Sequence, residues 1–305
     1  MAAADGWLLS VWGLAADDLH AVGGTRDDGR VIRFDGESWT VVDTGLDVPL
    51  LNWVFGFGPD DLWVVGNAGT IVRFDGTSWF TVPSPTTQDL WGVWGSGPDD
   101  VWAVGGGIFG GGAASAEPVL LRWDGSAWSP VPLPELDRPT TALFKVWGTD
   151  SDDVVAVGQG GMLLRFDGNA WAQVVLDATA DLISVWGTGP DRIAIAGGRN
   201  NARFVTWDGA EWSVGSLDGQ PGLNGVWMGD PDVIHFAGTD GRLFRVDFAS
   251  GDLLEESFAD CPPPCPDFHA IFGVERTLTA VGLNLRVSTG PQASLVYARA
   301  LGADE

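Results

Sequence analysis

The chain has 305 residues, enough for two average domains or one large all-β domain. Its 41 acidic and 16 basic residues give a net charge of −25, which repels phosphate backbones and anionic lipid surfaces and excludes nucleic acid as a partner class. No run of about eighteen apolar residues exists that would insert in a membrane as a helix, and no positively charged, apolar leader follows Met1.

Self-similarity organises the chain. An anchor aromatic recurs at Trp12, Phe55, Trp94, Trp147, Trp186, Trp227 and Phe272, with spacings by subtraction of 43, 39, 53, 39, 41 and 45 residues. In chain order the units cover about 7–45, 50–84, 89–132, 141–176, 181–215, 222–258 and 267–301. The second unit shows the whole pattern. Val54-Phe55-Gly56 leads into the turn Gly58-Pro59-Asp60-Asp61 and the apolar run 62–65; Ile71-Val72-Arg73-Phe74, the turn Asp75-Gly76 and Ser78-Trp79 follow. Proline presets φ in the first turn and aspartate accepts backbone N–H groups beyond it, while Asp-Gly is a hairpin signal. Nothing has helical periodicity. Four short strands per unit, seven times over, predict an all-β fold: a seven-bladed β-propeller of four-stranded antiparallel blades, one domain over 1–305. Runs such as 62–65 lack polar alternation, as expected of a blade buried on both faces. The chain begins with an inner strand near Trp7 and ends with a strand over about 294–300, expected to be outermost. That phase offers no strand swap, so blades one and seven should close the ring by face packing, at the weakest seam.

Fourteen of the 17 tryptophans fall in repeat columns. Trp39, Trp79, Trp128, Trp171 and Trp212 occupy the fourth strand, and Trp12, Trp94, Trp147, Trp186 and Trp227 the first. Trp63 and Trp102 share a second-strand column with His20 and His235, and Trp123 and Trp207 a third-strand one. These are expected to be core between blades, so truncating a residue such as Trp79 should cost about 3–5 kcal/mol. Arg33, Arg73, Arg122, Arg165 and Arg245 form another third-strand column. Arg73 and Asp75 are two apart and face the same side, which reads as a repeated ion pair or a cap on a neighbouring turn.

The stretch with Val93-Trp94-Gly95, Pro98-Asp99-Asp100, Trp102-Ala103-Val104-Gly105, Arg122-Trp123-Asp124-Gly125 and Ala127-Trp128 resembles tectonin-type propeller repeats. It is loosely similar to Asp-box propellers too, with Asp124 to Trp128 one residue shorter than that pattern. The resemblance covers nearly the whole chain and implies the propeller architecture. Because tectonin-type proteins include glycan-binding lectins, it also implies a sugar ligand, although no lectin motif carries over residue by residue.

In such a blade the first-to-second and third-to-fourth turns lie on one rim, and the remaining loops on the other. The first rim is monotonous here, built of Pro-Asp-Asp and Asp-Gly turns. The second varies: the 25–28 loop, the glycine-rich insertion 105–118, Arg199-Asn200-Asn201, and the crossings 132–141 and 260–266. Individuality among copies puts function on that rim. First strands open onto it near the central channel. Three residues before the anchors stand Leu9, Asn52, Trp91, Phe144, Ile183, Asn224 and His269; two before them stand Ser10, Trp53, Gly92, Lys145, Ser184, Gly225 and Ala270. Trp53 and Trp91 either form a flat platform for a sugar or another amphipathic ligand, or plug the channel. Asn52, Asn224, His269 and Lys145, the only lysine, would supply polar contacts.

Three functions fit. The first is a secreted or periplasmic bacterial binding propeller with one asymmetric carbohydrate site at the channel mouth. The second is a protein-interaction scaffold using the glycine-rich 105–112 part of the insertion and the 132–141 crossing. The third is a hydrolase, lyase or metal-dependent enzyme using His269, Lys145 and a rim acid, Asp181 or Asp267. No nucleophile elbow, His-Glu-x-x-His, phosphate loop or EF-hand supports an enzyme. No cofactor is expected. Calcium stays open through the many aspartates, most of which sit in turns. Cys261 and Cys265 flank three prolines and read as a small-loop disulfide, which favours an extracytoplasmic home.

Overall fold

The gaps between apolar runs are too short for a parallel crossover, so consecutive strands must return antiparallel. The computed structural model describes residues 6–107, 117–258, 265–283 and 294–301. They form seven sheets paired strictly in chain order, six of them four-stranded, in a propeller ring. Blade two consists of Leu51–Gly58, Asp61–Gly66, Ile71–Phe74 and Trp79–Thr81. The first strands stand side by side around the channel, from blade one through to blade seven. Blade seven has three strands among the described residues: Asp267–Val274, Thr277–Leu283 and Ser294–Ala300. Ser294–Ala300 is therefore not the outermost of four. It pairs directly with the second strand, from Thr277↔Ala300 to Leu283↔Ser294, and is the third. The ring closes without strand exchange among the described residues. Leu8 and Val11 of blade one share a core with Phe268, Ile271 and Ala280 of blade seven.

Two aromatic layers hold neighbouring blades together. In the outer layer, the fully buried Trp63 packs 5.2 Å from Trp123 and 5.5 Å from Trp128 of the next blade. Trp102 repeats this one blade on, 5.2 Å from both Phe166 and Trp171. Trp79, the blade-two member of the fourth-strand column, is only half-buried and stacks on Phe74 within its own blade at 4.9 Å. The second strand of blade one carries His20 where blades two and three carry tryptophan, so no indole reaches over to enclose Trp79.

The inner layer explains the glycine that follows four of the anchors. A Cβ at Gly56, Gly148, Gly187 or Gly273 would lie 2.4–2.7 Å from the ring of Trp12, Trp94, Trp147 or Trp227 in the preceding blade. In these four places the anchor ring packs against the glycine of the following blade, and any side chain there would drive the two blades apart.

The monotonous rim is a repeated lock. Asp75 Oδ1 accepts the N–H groups of Thr77 and Ser78, both at 2.9 Å, and Asp35, Asp124, Asp167 and Asp208 repeat the arrangement. Gly76 between them has φ of 85° and would clash with Asp60 if it carried a Cβ. Asp75 is thus occupied with its own turn. The partner of Arg73 is Asp61, at 3.0 Å, and the arginine lies over the Trp63 ring at 4.8 Å. Arg33, Arg122 and Arg165 pair likewise with Asp18, Asp100 and Asp153. The second aspartate of the first turn, not the aspartate of Asp-Gly, completes the ion pair, because strand pairing puts the second strand's start directly beside the arginine.

Candidate functional site

The two columns at the channel mouth divide into scaffold and free surface. Asn52 donates from Nδ2 to the Leu90 carbonyl of the next blade at 2.9 Å, and Asn224 does the same to the Phe268 carbonyl at 2.8 Å. The two bonds are equivalent, each running from three before an anchor to four before the next. Ser10 Oγ accepts the Val54 N–H at 3.2 Å. These polar side chains fasten inner strands to one another: Asn52 gives its two amide hydrogens to Asn67 Oδ1 and the Leu90 carbonyl, and Asn224 gives one of its own to the Phe268 carbonyl.

Asp181 and Asp267 also work inside the ring. Asp181 Oδ1 accepts the N–H of Gly160, and Asp267 Oδ1 that of Asp240, from the loop of the preceding blade. Asp89 makes the same bond to Ala68. The residues that donate these N–H groups all have positive φ, between 53° and 67°, which strains Ala68 and Asp240 but not Gly160, so each carboxylate caps a left-handed turn. Asp181 Oδ2 lies 2.5 Å from Arg199 Nε. Both of its oxygens therefore have partners within the ring.

Lys145, Trp53, Trp91, His269, Phe144 and Arg199 remain. Gly92 stands in the Lys145 column one blade earlier, and a Cβ there would fall 2.9 Å from Lys145 Cα. Through that gap Lys145 reaches back across blade three. Its Nζ donates to the carbonyls of Trp91 at 2.8 Å and Phe144 at 3.2 Å, and lies 4.1 Å from the centre of the Trp53 ring in blade two. Burial pulls its pKa down to about 7. One face of Trp53 is therefore occupied by the ammonium, and Trp91 commits its indole N–H to the Gly106 carbonyl at 2.8 Å.

Phe144 is buried, and the Arg199 guanidinium covers its ring at 5.5 Å. His269 Nε2 is buried without a hydrogen-bond partner. Its pKa is lowered to about 4, first by burial and then by the positive charges of Lys145 and Arg199. The structure thus brings Lys145, His269, Trp53 and Trp91 to one mouth and adds Arg199. In the sequence Arg199 is one residue of a variable loop; its place over Phe144 has no local signal. The column of Asp89, Asp181 and Asp267, each five before its anchor, is visible in the sequence once the turns it caps are known.

A concavity of about 340 Å³ lies between blades three and four, lined by Trp102, Arg122, Trp171 and the 132–134 crossing. Of the 105–118 insertion, 108–116 lie outside the described residues, as does Cys261 of the expected disulfide. Among the described residues no three His, Cys, Asp or Glu side chains gather as metal ligands, and no helix is long and apolar enough to cross a membrane.

No protein-family model and no curated protein matches the chain. Solved propellers do. YCF48 from Cyanidioschyzon merolae is 14% identical over 99% of this chain and 97% of its own, with a TM-score of 0.68. YCF48 bound to D1 peptide is 17% identical over 76% of this chain and 74% of its own, with a TM-score of 0.57. The β-propeller domain of Cps50 (Swd1) from Myceliophteria thermophila is 12% identical over 98% of both chains, with a TM-score of 0.69. At these identities the likeness is one of fold, a propeller.

Proposed function

We propose that the chain is a protein-interaction propeller that receives a peptide segment at the channel mouth of its variable rim. The observation that carries this reading is the aromatic and cationic cluster of Trp53, Trp91, Phe144, Lys145 and Arg199, joined by contacts at the channel mouth of a protein of net charge −25. Aromatic rings beside positive groups suit the mixed apolar and acidic chemistry of a peptide. A propeller of similar architecture, YCF48, has been captured with D1 peptide, which supports a protein ligand for such a ring.

The glycan reading loses its support at the same place. A sugar platform needs a free ring face flanked by amide donors, but Lys145 covers one face of Trp53, and Asn52 and Asn224 are bonded across blades. The test is selection of a random displayed peptide library on the wild-type protein beside an Arg199→Glu variant of equal melting temperature. Peptides enriched on the first and lost on the second support the reading. A library that yields nothing, beside a saturable signal on a glycan array, would reverse it.

A further inference from the structure

Lys145, Arg199 and His269 come from blades four, five and seven, yet the charges of the first two reach the third across the channel mouth. Each has an unmet demand. The Lys145 ammonium rests on two carbonyl oxygens and an aromatic face, with no carboxylate against it among the described residues. Arg199 spends Nε on Asp181, and its two terminal nitrogens bond to nothing among the described residues. His269 Nε2 is buried and unpartnered. The carboxylate that touches this cluster, Asp181, has both oxygens taken, by Arg199 and by the Gly160 N–H. Every other position in the two channel-mouth columns is uncharged.

Such a recess is short of one thing. The buried amine of Lys145 and the buried imidazole of His269 are held away from their charged forms, and an anion placed beside them and the terminal nitrogens of Arg199 would be stabilised by all three. A carboxylate has the planar pair of oxygens that matches free guanidinium nitrogens, and it accepts from ammonium and imidazole equally. We propose that the channel mouth binds a carboxylate among Lys145, Arg199 and His269, presented by the peptide. The source of the carboxylate rests on the function proposed above; the site itself does not.

Binding is coupled to protons. A carboxylate favours the ammonium and the imidazolium, so the site takes up protons as it fills near neutral pH, chiefly at Lys145. Lys145 is the only lysine, so labelling of a side-chain amine reports this residue alone. The experiment is acetic anhydride labelling from acid to alkaline pH, read by mass spectrometry of the Lys145 peptide. Its probes are N-acetyl-trialanine with a free carboxylate, the same peptide amidated, and acetate.

The free-acid peptide is expected to move the labelling midpoint to higher pH and to slow labelling at pH 7 roughly fivefold, the effect of raising the midpoint by about one pH unit. The amide should do neither, and an Arg199→Gln variant of unchanged melting temperature should lose the response. An unmoved midpoint with both the free-acid peptide and acetate would overturn the site, as would equal protection by the amide. Acetate acting where the free-acid peptide does not would leave the carboxylate site standing and overturn the peptide as its source.

Discussion

The ammonium of Lys145 lies 4.1 Å from the centre of the Trp53 ring, although the two residues are two blades apart. The contact exists because blade three contributes Gly92 where a side chain would stand in the way. A cation over an indole face in a partly desolvated recess is held more firmly than at the surface. The pair fixes the floor of the channel mouth, and it makes the titration of Lys145 a property of three blades rather than one.

A stability profile in pH should expose that lysine. Burial lowers its pKa from the ordinary 10.5 to about 7 in the folded protein. The unfolded chain then binds the proton more tightly, so this residue's contribution to stability rises between about pH 7 and pH 10.5 and is least favourable below. Lys145→Met removes that slope. Relative to wild type, the variant should melt highest near neutral pH, with the difference narrowing as the pH climbs. A difference that stays constant in thermal melts across this range would make Lys145 an ordinary lysine.

Gly92→Ala places a Cβ 2.9 Å from Lys145 Cα and 3.0 Å from the Phe144 carbonyl oxygen, both backbone atoms that yield poorly. The expected cost is about 1–3 kcal/mol in urea unfolding, from overpacking. Lys145 should also label faster with acetic anhydride, because the shift pulls it off Trp53. An alanine variant as stable and as slowly labelled as wild type would contradict the tight three-blade arrangement.

The tryptophan columns should not be energetically uniform. Trp63 is fully buried against Trp123 and Trp128, whereas Trp79 is half-buried at the edge of a core cluster and stacks on Phe74 of its own blade. Trp63→Ala is expected to cost about 3–5 kcal/mol and Trp79→Ala distinctly less. Chemical denaturation of the two variants side by side decides the ranking, and the reverse order would misplace the inter-blade core.

Acid should loosen the monotonous rim. Asp124 is held to about 2 by the Ser126 hydroxyl, then by the Ala127 and Ser126 N–H groups. In Asp75 and Asp167 the turn N–H groups likewise lower the pKa, those of Ser78 and Ala170 most. A folded value below the unfolded one gives stabilisation that is present above about pH 4 and lost as pH falls towards 2. Urea midpoints should drop over that window, and Asp124→Asn should drop less. An equal drop would assign acid sensitivity to other carboxylates.

The repeat, its seven copies and the antiparallel order of strands were legible in the sequence because each rests on local chemistry. Pro-Asp-Asp and Asp-Gly make their turns from neighbouring residues, and an apolar run reports burial on both faces wherever it stands. The anchor glycine was legible as a column, but its cause, the Trp12 ring lying on Gly56, belongs to two blades. Partners were the weak point. Arg73 and Asp75 share a face by spacing, yet the register of Trp63 against Arg73 brings Asp61 to the arginine.

What the sequence by itself determined is therefore the blade: its strands, its turns and the rim that varies. What only the tertiary structure decided is which of the varied residues are free to act. Asn52, Asn224 and Asp181 look like ligand contacts until the neighbouring blade arrives and uses them, and Arg199 looks like a loop residue until it lies over Phe144. The physical reason is closure. Groups 50 or more residues apart, such as Trp91 and Lys145 with 54 between their numbers, meet because seven first strands share one axis, and no local pattern of residues records that meeting.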